Sequence, residues 1–325
     1  MGMNLRFAIE ASVFWPPADR VVASGYKKSI DVSEVYDLVR KVDGVDGVEL
    51  YLPYDLEKAE DLQETLSSHK LAVSAVGIGN FADARFQRGG VTSDDPKIRQ
   101  ESFELGVRSI QAAKALGAKN VVFWPAHDGY DYYFQTDYLK KHDLLRGALR
   151  DLAMVDPSIR IGIEYKPREP RTHQLVPNAA KALRLAETTG CPNVGVIMDI
   201  GHSILAGENP AEEAALLMRE GRLFHLHSND NYGDWDYDMI PGSVHFWENV
   251  ELFYTMEQMS YDGWINFDIC PFREDAVSAC TLSIQHTKKM IELARRLDQE
   301  KMASFRLHDD AMGAHRYLWE LFFEN

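Results

Sequence analysis

The chain has 325 residues, of which 45% are hydrophobic, and a formal net charge of −15. It is long enough for a large core, and its negative charge would repel nucleic acid and anionic membranes, so we expect neither as a partner. Three widely spaced cysteines (Cys191, Cys270 and Cys280), with no CxxC pair, exclude a disulfide framework and a cysteine-held zinc. No secretion signal is evident at the N-terminus, so we expect a cytoplasmic protein.

Strand-like and helix-like segments alternate along the chain. The first four predicted strands are RFAIEA near residue 6, GVELYL near 47, LAVSAVGI near 71 and NVVFWPA near 120; the last four lie in IRIGIEYKP, VGVIMDIGH, LFHLHSND and WINFDICP. Helical periodicity marks 97–117, 137–153, 177–190, 210–219, 248–260 and 275–296. Eight strands, each followed by a helix, predict a parallel sheet closed as a (β/α)₈ barrel. A doubly wound open sheet is the alternative, but no GxGxxG follows the first strand.

The chain divides into a barrel over residues 1–298 and an apolar tail over 299–325. The tail contains Tyr317, Trp319 and Phe323 among other apolar residues, which is too apolar for a free end. We expect it to pack on the barrel or on a partner subunit. The long loops 81–96 and 229–247 are expected to serve function.

Acidic and imidazole residues stand where the last four predicted strands end. They are Glu164, Asp199, His227 and Asp268. Chemistry in such a barrel belongs at the carboxyl ends of the strands, where these four side chains can converge on one ion. A mixed carboxylate–imidazole set suits Mn²⁺, Co²⁺ or Mg²⁺ better than a closed zinc site. The alternative is that Asp199 and Asp268 are helix N-caps.

A second group of polar residues lies close by in the sequence. His202 follows Asp199 by three residues, and the loop GDWDYDMIPG carries Asp234, Asp236 and Asp238 at alternate positions. Alternate carboxylates in an extended loop point the same way and can hold a second cation, although a solvated acidic turn is the simpler alternative.

Two further residues share a strand face with the expected ligands. Lys166 lies two residues beyond Glu164 and can bind a developing oxyanion, unless it is a surface lysine. His225 alternates with His227, and we expect His227 to be the ligand and His225 a core or supporting histidine.

Several motifs resemble those of xylose isomerases. The segment EYKPREPR (164–171) is similar to their E-x-K-P-x-E-P-R stretch, and FQRGGVTSDD (86–95) to F-K-x-G-G-x-T-x-x-D. GVIMDIGHSILAGENPAE (195–212) and GRLFHLHSND (221–230) resemble the regions of their sixth and seventh strands. The run HSNDNYGD from His227 is closer to L-rhamnose isomerase, which has histidine at that ligand position. The resemblance covers roughly residues 70–290 and implies a TIM barrel of this superfamily.

The resemblance implies an aldose–ketose isomerase, an intramolecular oxidoreductase that shifts hydride within an open-chain, unphosphorylated sugar. It implies two divalent cations, with Mn²⁺ expected first, no organic cofactor, and a homo-oligomer, either a dimer or a tetramer. The first ion would be held by Glu164, Asp199, His227 and Asp268. The second would be held by Asp199, His202 and two loop aspartates, for which either Asp234 with Asp236 or Asp236 with Asp238 is available, and we prefer Asp236 with Asp238.

The resemblance also assigns residues to the sugar. Lys166 would contact O1, and Lys166, Glu164 and Asp236 are the residues expected to take part in the chemistry. Trp124, Phe86 and Trp15 would form an apolar wall around the substrate.

The chain departs from xylose isomerases at the second strand. The run YLPYDL (51–56) lacks their ring-opening histidine, so D-xylose is not the expected sugar. Asp83, His127 or His173 are the residues that could replace it.

Three other functions compete with the isomerase. The main alternative is a ketose 3-epimerase of the same barrel family, which uses one metal and two acid–base glutamates, although this chain has Asp268 on the eighth strand. The others are a metal-rich endonuclease of the endonuclease IV type, disfavoured by the acidic charge, and a non-catalytic sugar-binding barrel.

Overall fold

The computed structural model describes residues 3–56, 59–169 and 171–323. This part of the chain contains eleven strands, most of which are separated by helices. The strands are β1 (Asn4–Glu10), β2 (Gly47–Leu52), β3 (Ala72–Ile78), β4 (Asn120–Phe123), β5 (Gly129–Tyr130), β6 (Arg160–Glu164), β7 (Arg168–Glu169), β8 (Thr172–Gln174), β9 (Val194–Asp199), β10 (Leu223–Ser228) and β11 (Asp262–Phe267).

All six helical segments that the sequence predicts are found among the eleven helices that the structure describes. The helices are α1 (Val32–Val39), α2 (Ala59–His69), α3 (Pro96–Ala115), α4 (Tyr138–Val155), α5 (Ala179–Thr188), α6 (Ile200–Leu205), α7 (Pro210–Arg219), α8 (Phe246–Gln258), α9 (Ala276–Arg295), α10 (Gln299–Leu307) and α11 (Ala311–Phe323). Short 3₁₀ turns cover Ala11–Phe14 and Ala84–Phe86. In the described part of the chain, no helix has both the length and the apolar character that crossing a membrane requires.

Asparagine and aspartate side chains fix where the longer helices begin. Asp95, Asp137, Asn178 and Asp275 each accept a hydrogen bond from a backbone N–H in the first turn of the following helix. Such caps satisfy donors that the helix itself leaves without partners. Gly117, with φ of +75°, follows the end of α3 and closes the predicted helical segment 97–117, because glycine adopts the left-handed conformation without a steric penalty.

Eight of the strands close into a parallel barrel, which confirms the predicted fold and excludes the open sheet. Their order around the barrel is β1–β11–β10–β9–β6–β4–β3–β2. The remaining strands β5, β8 and β7 form a small antiparallel sheet. The sequence does not predict this sheet, because strands of two or three residues are too short to show an alternating pattern.

A glycine inside the barrel makes room for a large neighbour. A Cβ at Gly162 on β6 would lie 2.4 Å from Ile197 Cγ1 and 2.7 Å from its Cδ1. Ile197 is on the adjacent strand β9 and is fully buried, so it has no space into which it can retreat. The glycine therefore keeps β6 and β9 in the register that positions their terminal carboxylates.

The C-terminal helices pack beside α8. Trp247 on α8 stacks on Phe322 of α11, with ring centroids 5.9 Å apart. Tyr317 and Leu318 are partly buried against the core, whereas Trp319 is 57% exposed. The boundary at residue 298 and the contact of the tail with a partner subunit remain predictions.

We expect Gly162→Ala to destabilise the protein by about 1–3 kcal/mol, because the added methyl group overpacks the interior of the barrel. Gly147→Ala on α4 is the matched control: its Cβ would meet nothing within 4 Å. It should stabilise the helix by about 0.5–1 kcal/mol. Urea unfolding monitored by circular dichroism measures both effects, and equal midpoints for the two variants would contradict the packing role of Gly162.

Candidate metal centre

The register of the barrel brings the four predicted ligands together at the carboxyl ends of adjacent strands. His227 on β10 pairs directly with Asp199 on β9. Glu164 pairs with Ile197, two residues before Asp199 on the same face of β9. Asp268 follows the end of β11. One ligand atom from each of the four residues lies within 4.8 Å of the other three, and we call this set the four-ligand group.

The four-ligand group is mostly removed from solvent. Glu164 is 3% exposed, Asp199 and His227 are fully buried, and the side chain of Asp268 is 27% exposed. His227 Nδ1 lies 3.4 Å from Glu164 Oε1 and 4.0 Å from Asp268 Oδ2. Among the described residues, this buried nitrogen has no hydrogen-bond partner. An imidazole nitrogen with a free lone pair, facing a space that carboxylates also border, is suited to bind a metal ion.

Asp199 has two roles. Its Oδ1 accepts a hydrogen bond of 2.7 Å from the backbone N–H of His202, and therefore caps α6. Its Oδ2 accepts one of 2.9 Å from Asn229 Nδ2. The helix-cap alternative is thus realised at Asp199 together with its place in the four-ligand group.

The electrostatics of the group indicate a shortage of positive charge. Burial, and then the neighbouring carboxylates, raise the pKa of Asp199, Asp238 and Asp268 above their ordinary values. Glu164 differs: burial opposes its ionisation, but the charges of His227 and His202 bring its pKa below the ordinary value. Carboxylates that raise one another's pKa in this way are stabilised by a bound cation. The residues present therefore fit a divalent metal ion.

Glu49 lies behind His227 and was missed by the sequence analysis. His225 Nε2 is 2.9 Å from Glu49 Oε2, and His227 Nε2 is 3.1 Å from Glu49 Oε1. Burial opposes the ionisation of Glu49, but the two imidazoles lower its pKa to about 2. Because the carboxylate accepts from Nε2–H of His227, it leaves Nδ1 to face the four-ligand group. His225 takes the supporting place that we expected.

Glu10 at the end of β1 is a second missed carboxyl group. Its Oε1 accepts a short hydrogen bond from Ser12 Oγ. Burial and the charge of Glu49 raise the pKa of Glu10 to about 8. The signal was available in the sequence, because Glu10 ends an apolar strand just as Glu164 and Asp199 do, and Glu49 interrupts one.

Residues predicted to hold a second cation lie beside Lys166. Asp236 Oδ2 lies 2.6 Å from Lys166 Nζ and 3.1 Å from His202 Nε2. Asp238 lies near the group, since Asp236 and Asp268 contribute to its raised pKa after burial. The exposed Asp234 instead accepts a hydrogen bond of 3.4 Å from the Tyr237 hydroxyl.

An aromatic wall stands beside Lys166. The Lys166 ammonium lies 5.0 Å from the ring centroid of Trp124. Trp124 packs on Phe81, and Phe81 on Tyr51, with centroids 5.1 and 5.4 Å apart. Trp15, another predicted member of the wall, contacts Tyr54, with ring centroids 6.0 Å apart. Tyr54 in turn contacts Phe81, with ring centroids 6.1 Å apart.

Phe81 and Tyr51 were not predicted as members of the wall. Tyr51 alternates with Glu49 on β2, and a Cβ at Gly77 would lie 2.1 Å from its ring, so glycine is needed there. The predicted Phe86 is buried beside Arg85 and lines a separate cavity of about 200 Å³ with Tyr54.

The three candidates for the missing histidine have other partners. Asp83 pairs with Arg85 at 2.7 Å, and His127 Nε2 lies 2.9 Å from the carbonyl oxygen of Phe81. His173 stacks on Tyr130 in the small sheet. Of these three, His127 is the one that is hydrogen-bonded to a residue of the aromatic wall, the backbone carbonyl of Phe81.

Comparison with known proteins agrees with this architecture. The family described as xylose isomerase-like TIM barrel matches residues 36–290. Solved structures with a similar fold include a D-tagatose 3-epimerase-like protein, with 19% identity over 89% of this chain and 98% of that chain and a TM-score of 0.66. A xylose isomerase domain protein from Alicyclobacillus acidocaldarius is 18% identical over 90% and 100%, with a TM-score of 0.67.

A third similar structure is 3-keto-D-glucoside 4-epimerase from E. coli, with 17% identity over 88% of this chain and 100% of that chain and a TM-score of 0.69. At identities this low, the similarity to these structures shows the fold alone. The family match, in contrast, spans most of the chain and includes every member of the four-ligand group. The chain therefore belongs to the xylose isomerase-like TIM barrel family.

Proposed function

We propose that the chain is a divalent-metal-dependent epimerase of a keto sugar. The observation that carries the proposal is the four-ligand group, in which one buried imidazole and three carboxylates converge within 4.8 Å at the mouth of the barrel. The names of two of the similar structures support this choice, because one is a 3-keto-D-glucoside 4-epimerase and the other is described as D-tagatose 3-epimerase-like. An epimerase would belong to a different enzyme class from the isomerase that the sequence motifs suggest.

The substrate would lie between the four-ligand group and the aromatic wall. A bound divalent cation would polarise the carbonyl oxygen of the sugar and acidify the neighbouring C–H bond. Trp124 would provide an apolar face to the sugar ring. Its buried Nε1–H has no partner among the described residues and could donate a hydrogen bond to a sugar hydroxyl. Lys166 is 5% exposed and would bind a sugar oxygen from the same side.

Two carboxylates would move the proton. Glu164 ends β6 and Asp268 follows β11, and the barrel order separates these strands by β9 and β10. The two groups therefore approach the centre from different sides. One would remove the proton from the carbon beside the carbonyl, and the other would return a proton to the opposite face, which inverts that carbon.

The second candidate is the aldose–ketose isomerase. The observation that favours it is the position of Lys166, His202 and Asp236 directly beside the four-ligand group. A hydride shift would keep the migrating hydrogen within the sugar, whereas an epimerase that works through carboxylates exchanges it with solvent. The two functions thus differ in the fate of one hydrogen atom.

We expect turnover of a panel of ketohexoses and ketopentoses in D₂O with Mn²⁺ to give a product with one deuterium at the inverted carbon. Glu164→Gln and Asp268→Asn should each lose about 10²–10⁴-fold in rate, as expected for loss of a general acid or base. Asp234→Asn is the matched control, because Asp234 is exposed on the same mouth loop. Mass spectrometry and NMR read the label. Conversion between aldose and ketose without deuterium uptake would favour the isomerase and contradict the epimerase.

Glu49→Gln tests whether the buried carboxylate orients His227. A glutamine has one accepting oxygen and one donating nitrogen, so it cannot accept from both imidazoles as Glu49 does with its two oxygens. His227 would lose its orientation, and we expect Mn²⁺ affinity to fall about 10–100-fold. Glu208→Gln is the control, since Glu208 is a part-buried carboxylate that lies outside the four-ligand group. Its side chain accepts a hydrogen bond from the backbone N–H of Ala179. Titration calorimetry without substrate measures both, and unchanged affinity in Glu49→Gln would remove this role.

A further inference from the structure

The turn that follows β4 is tight and begins with a residue of the aromatic wall. Trp124 directly follows β4, and Asp128 directly precedes β5. The backbone N–H of Asp128 donates to the carbonyl oxygen of Pro125 at 2.6 Å. Between them, Ala126 has a φ of +38°. Residues with a Cβ rarely adopt a positive φ, and such a backbone persists only where the surroundings impose it. The shape of the turn 124–128 therefore depends on contacts that reach it from outside.

Asp128 makes such contacts. Its Oδ1 accepts a hydrogen bond of 2.8 Å from the backbone N–H of Thr92 and a short one from the Thr92 hydroxyl. The carbonyl oxygen of Asp128 accepts another, of 3.1 Å, from the N–H of Leu175, which follows β8. Lys141 Nζ donates to the carbonyl oxygen of Thr92 at 2.6 Å, so Thr92 is itself held in place. Asp128 thus joins the turn to the loop after β3 and to the small sheet.

The segment 86–95, which resembles a xylose isomerase motif, is shaped around the carboxylate of Asp128. A Cβ at Gly89, where φ is +101°, would lie 3.0 Å from Asp128 Oδ1. A Cβ at Gly90 would lie 3.4 Å from Asp128 Oδ2. This segment contributes no residue to the four-ligand group. Its two glycines and Thr92 instead enclose a fully buried carboxylate.

The turn holds two rings of the aromatic wall. Trp124 is its first residue, and the ring centroids of Trp124 and Phe81 are 5.1 Å apart. His127, the fourth residue of the turn, has its Nε2 2.9 Å from the carbonyl oxygen of Phe81. The ammonium of Lys166 lies 5.0 Å from the centroid of the Trp124 ring. A change in the shape of the turn would therefore move both rings relative to Lys166.

We propose that Asp128 is a positioning residue, which braces the turn 124–128 and so keeps Trp124 and Phe81 facing the bound sugar. It acts through the turn and does not itself touch the substrate. The inference rests on the proposed function, in which the aromatic wall covers the sugar beside the four-ligand group.

Release of this brace has a defined consequence. Without the bonds between Asp128 and Thr92, Ala126 would relax to a negative φ, because that conformation is lower in energy for a residue with a Cβ. The turn would then carry Trp124 away from the sugar. The wall binds the sugar in the ground state and in the transition state alike, so its displacement weakens binding more than it slows the chemistry.

Steady-state kinetics with Mn²⁺ and D-fructose, D-tagatose or D-ribulose separate these two effects. We expect Asp128→Ala and Thr92→Val to raise KM about tenfold, while kcat changes by less than about threefold. Thr92→Val keeps the shape of the side chain and removes only the hydroxyl. Thr92→Ser keeps the hydroxyl and should have a KM within about twofold of the wild type.

Asp156→Ala is the matched control. Like Asp128, Asp156 accepts hydrogen bonds from the backbone N–H and the hydroxyl of one residue, which is Ser158, at 3.0 and 2.6 Å. It lies between α4 and β6, at the amino end of a barrel strand and away from the mouth. Its loss should lower the urea midpoint and leave KM unchanged. An equal rise of KM in Asp156→Ala and Asp128→Ala would show a general loss of stability and contradict positioning.

Ala126→Gly tests the strain directly, because glycine adopts a positive φ without a penalty. Alone, it should raise the urea midpoint and keep the turn in place. In Thr92→Val/Ala126→Gly the turn no longer gains by relaxing, so KM should fall back towards the wild-type value. A KM as high as that of Thr92→Val would show that strain is not what moves the wall.

A fluorine label reports on the wall without any substrate. The chain has six tryptophans, and in protein that carries 5-fluorotryptophan the ¹⁹F signal of Trp124 is the one lost in Trp124→Phe. We expect this signal to shift or broaden in Asp128→Ala and Thr92→Val. It should keep its position in Thr92→Ser and Asp156→Ala.

Two results would overturn the inference. A wild-type KM and an unchanged Trp124 signal in the folded variants would show that the turn keeps its shape without the brace, and Thr92→Val decides this if Asp128→Ala does not fold. A fall in kcat at unchanged KM would show that Asp128 acts on the chemistry instead. If the wild type converts no ketose, the proposed function fails, and the fluorine signal alone decides whether Asp128 braces the turn.

Discussion

Repulsion among carboxylates at one end of the barrel is the constraint on which the rest of the site depends. Three carboxylates and an imidazole have ligand atoms within 4.8 Å of one another, and Glu10 and Glu49 lie close to them. Removing so many negative charges from water is costly unless cations stand between them. Lys166 supplies one positive charge beside these carboxylates, and the four-ligand group, in which His227 would be a neutral ligand, provides the place for a metal ion.

The supporting residues around the centre follow from the same constraint. Glu49 bonds two imidazoles and leaves Nδ1 of His227 towards the four-ligand group. Lys166 binds Glu169 and Asp236, and Trp124 shields the ammonium from one side. Glu49 and Lys166 thus have oppositely charged or hydrogen-bonding partners that hold them in place before any substrate arrives. Such preorganisation is what keeps reacting groups in position during catalysis.

The sequence predicts the barrel because the eight barrel strands are short apolar runs and six segments between or after them have a helical period. The four-ligand group is predictable for a related reason: in a parallel barrel, residues that end neighbouring strands must meet at one rim. Glu49 interrupts an apolar strand, which is a signal in itself, but the sequence does not show that this carboxylate faces two histidines from β10. Its partners are about 180 positions away along the chain.

The small sheet and the partner of Asp236 illustrate the limit of such reasoning. Strands β5, β7 and β8 are too short to leave a periodic signal, yet they carry Glu169 to Lys166. Motifs assign Asp236 to a second cation, but only the folded loop shows that its Oδ2 also pairs with Lys166. Phe81 was likewise missed, because its contact with Trp124 joins two loops that follow different strands.

The most direct test of the central claim is a crystal structure of the protein grown with Mn²⁺, in which anomalous scattering locates the metal. The account predicts one anomalous peak coordinated by Glu164, Asp199, Asp268 and Nδ1 of His227. A crystal in saturating Mn²⁺ with these four side chains turned apart and no anomalous peak between them would contradict it.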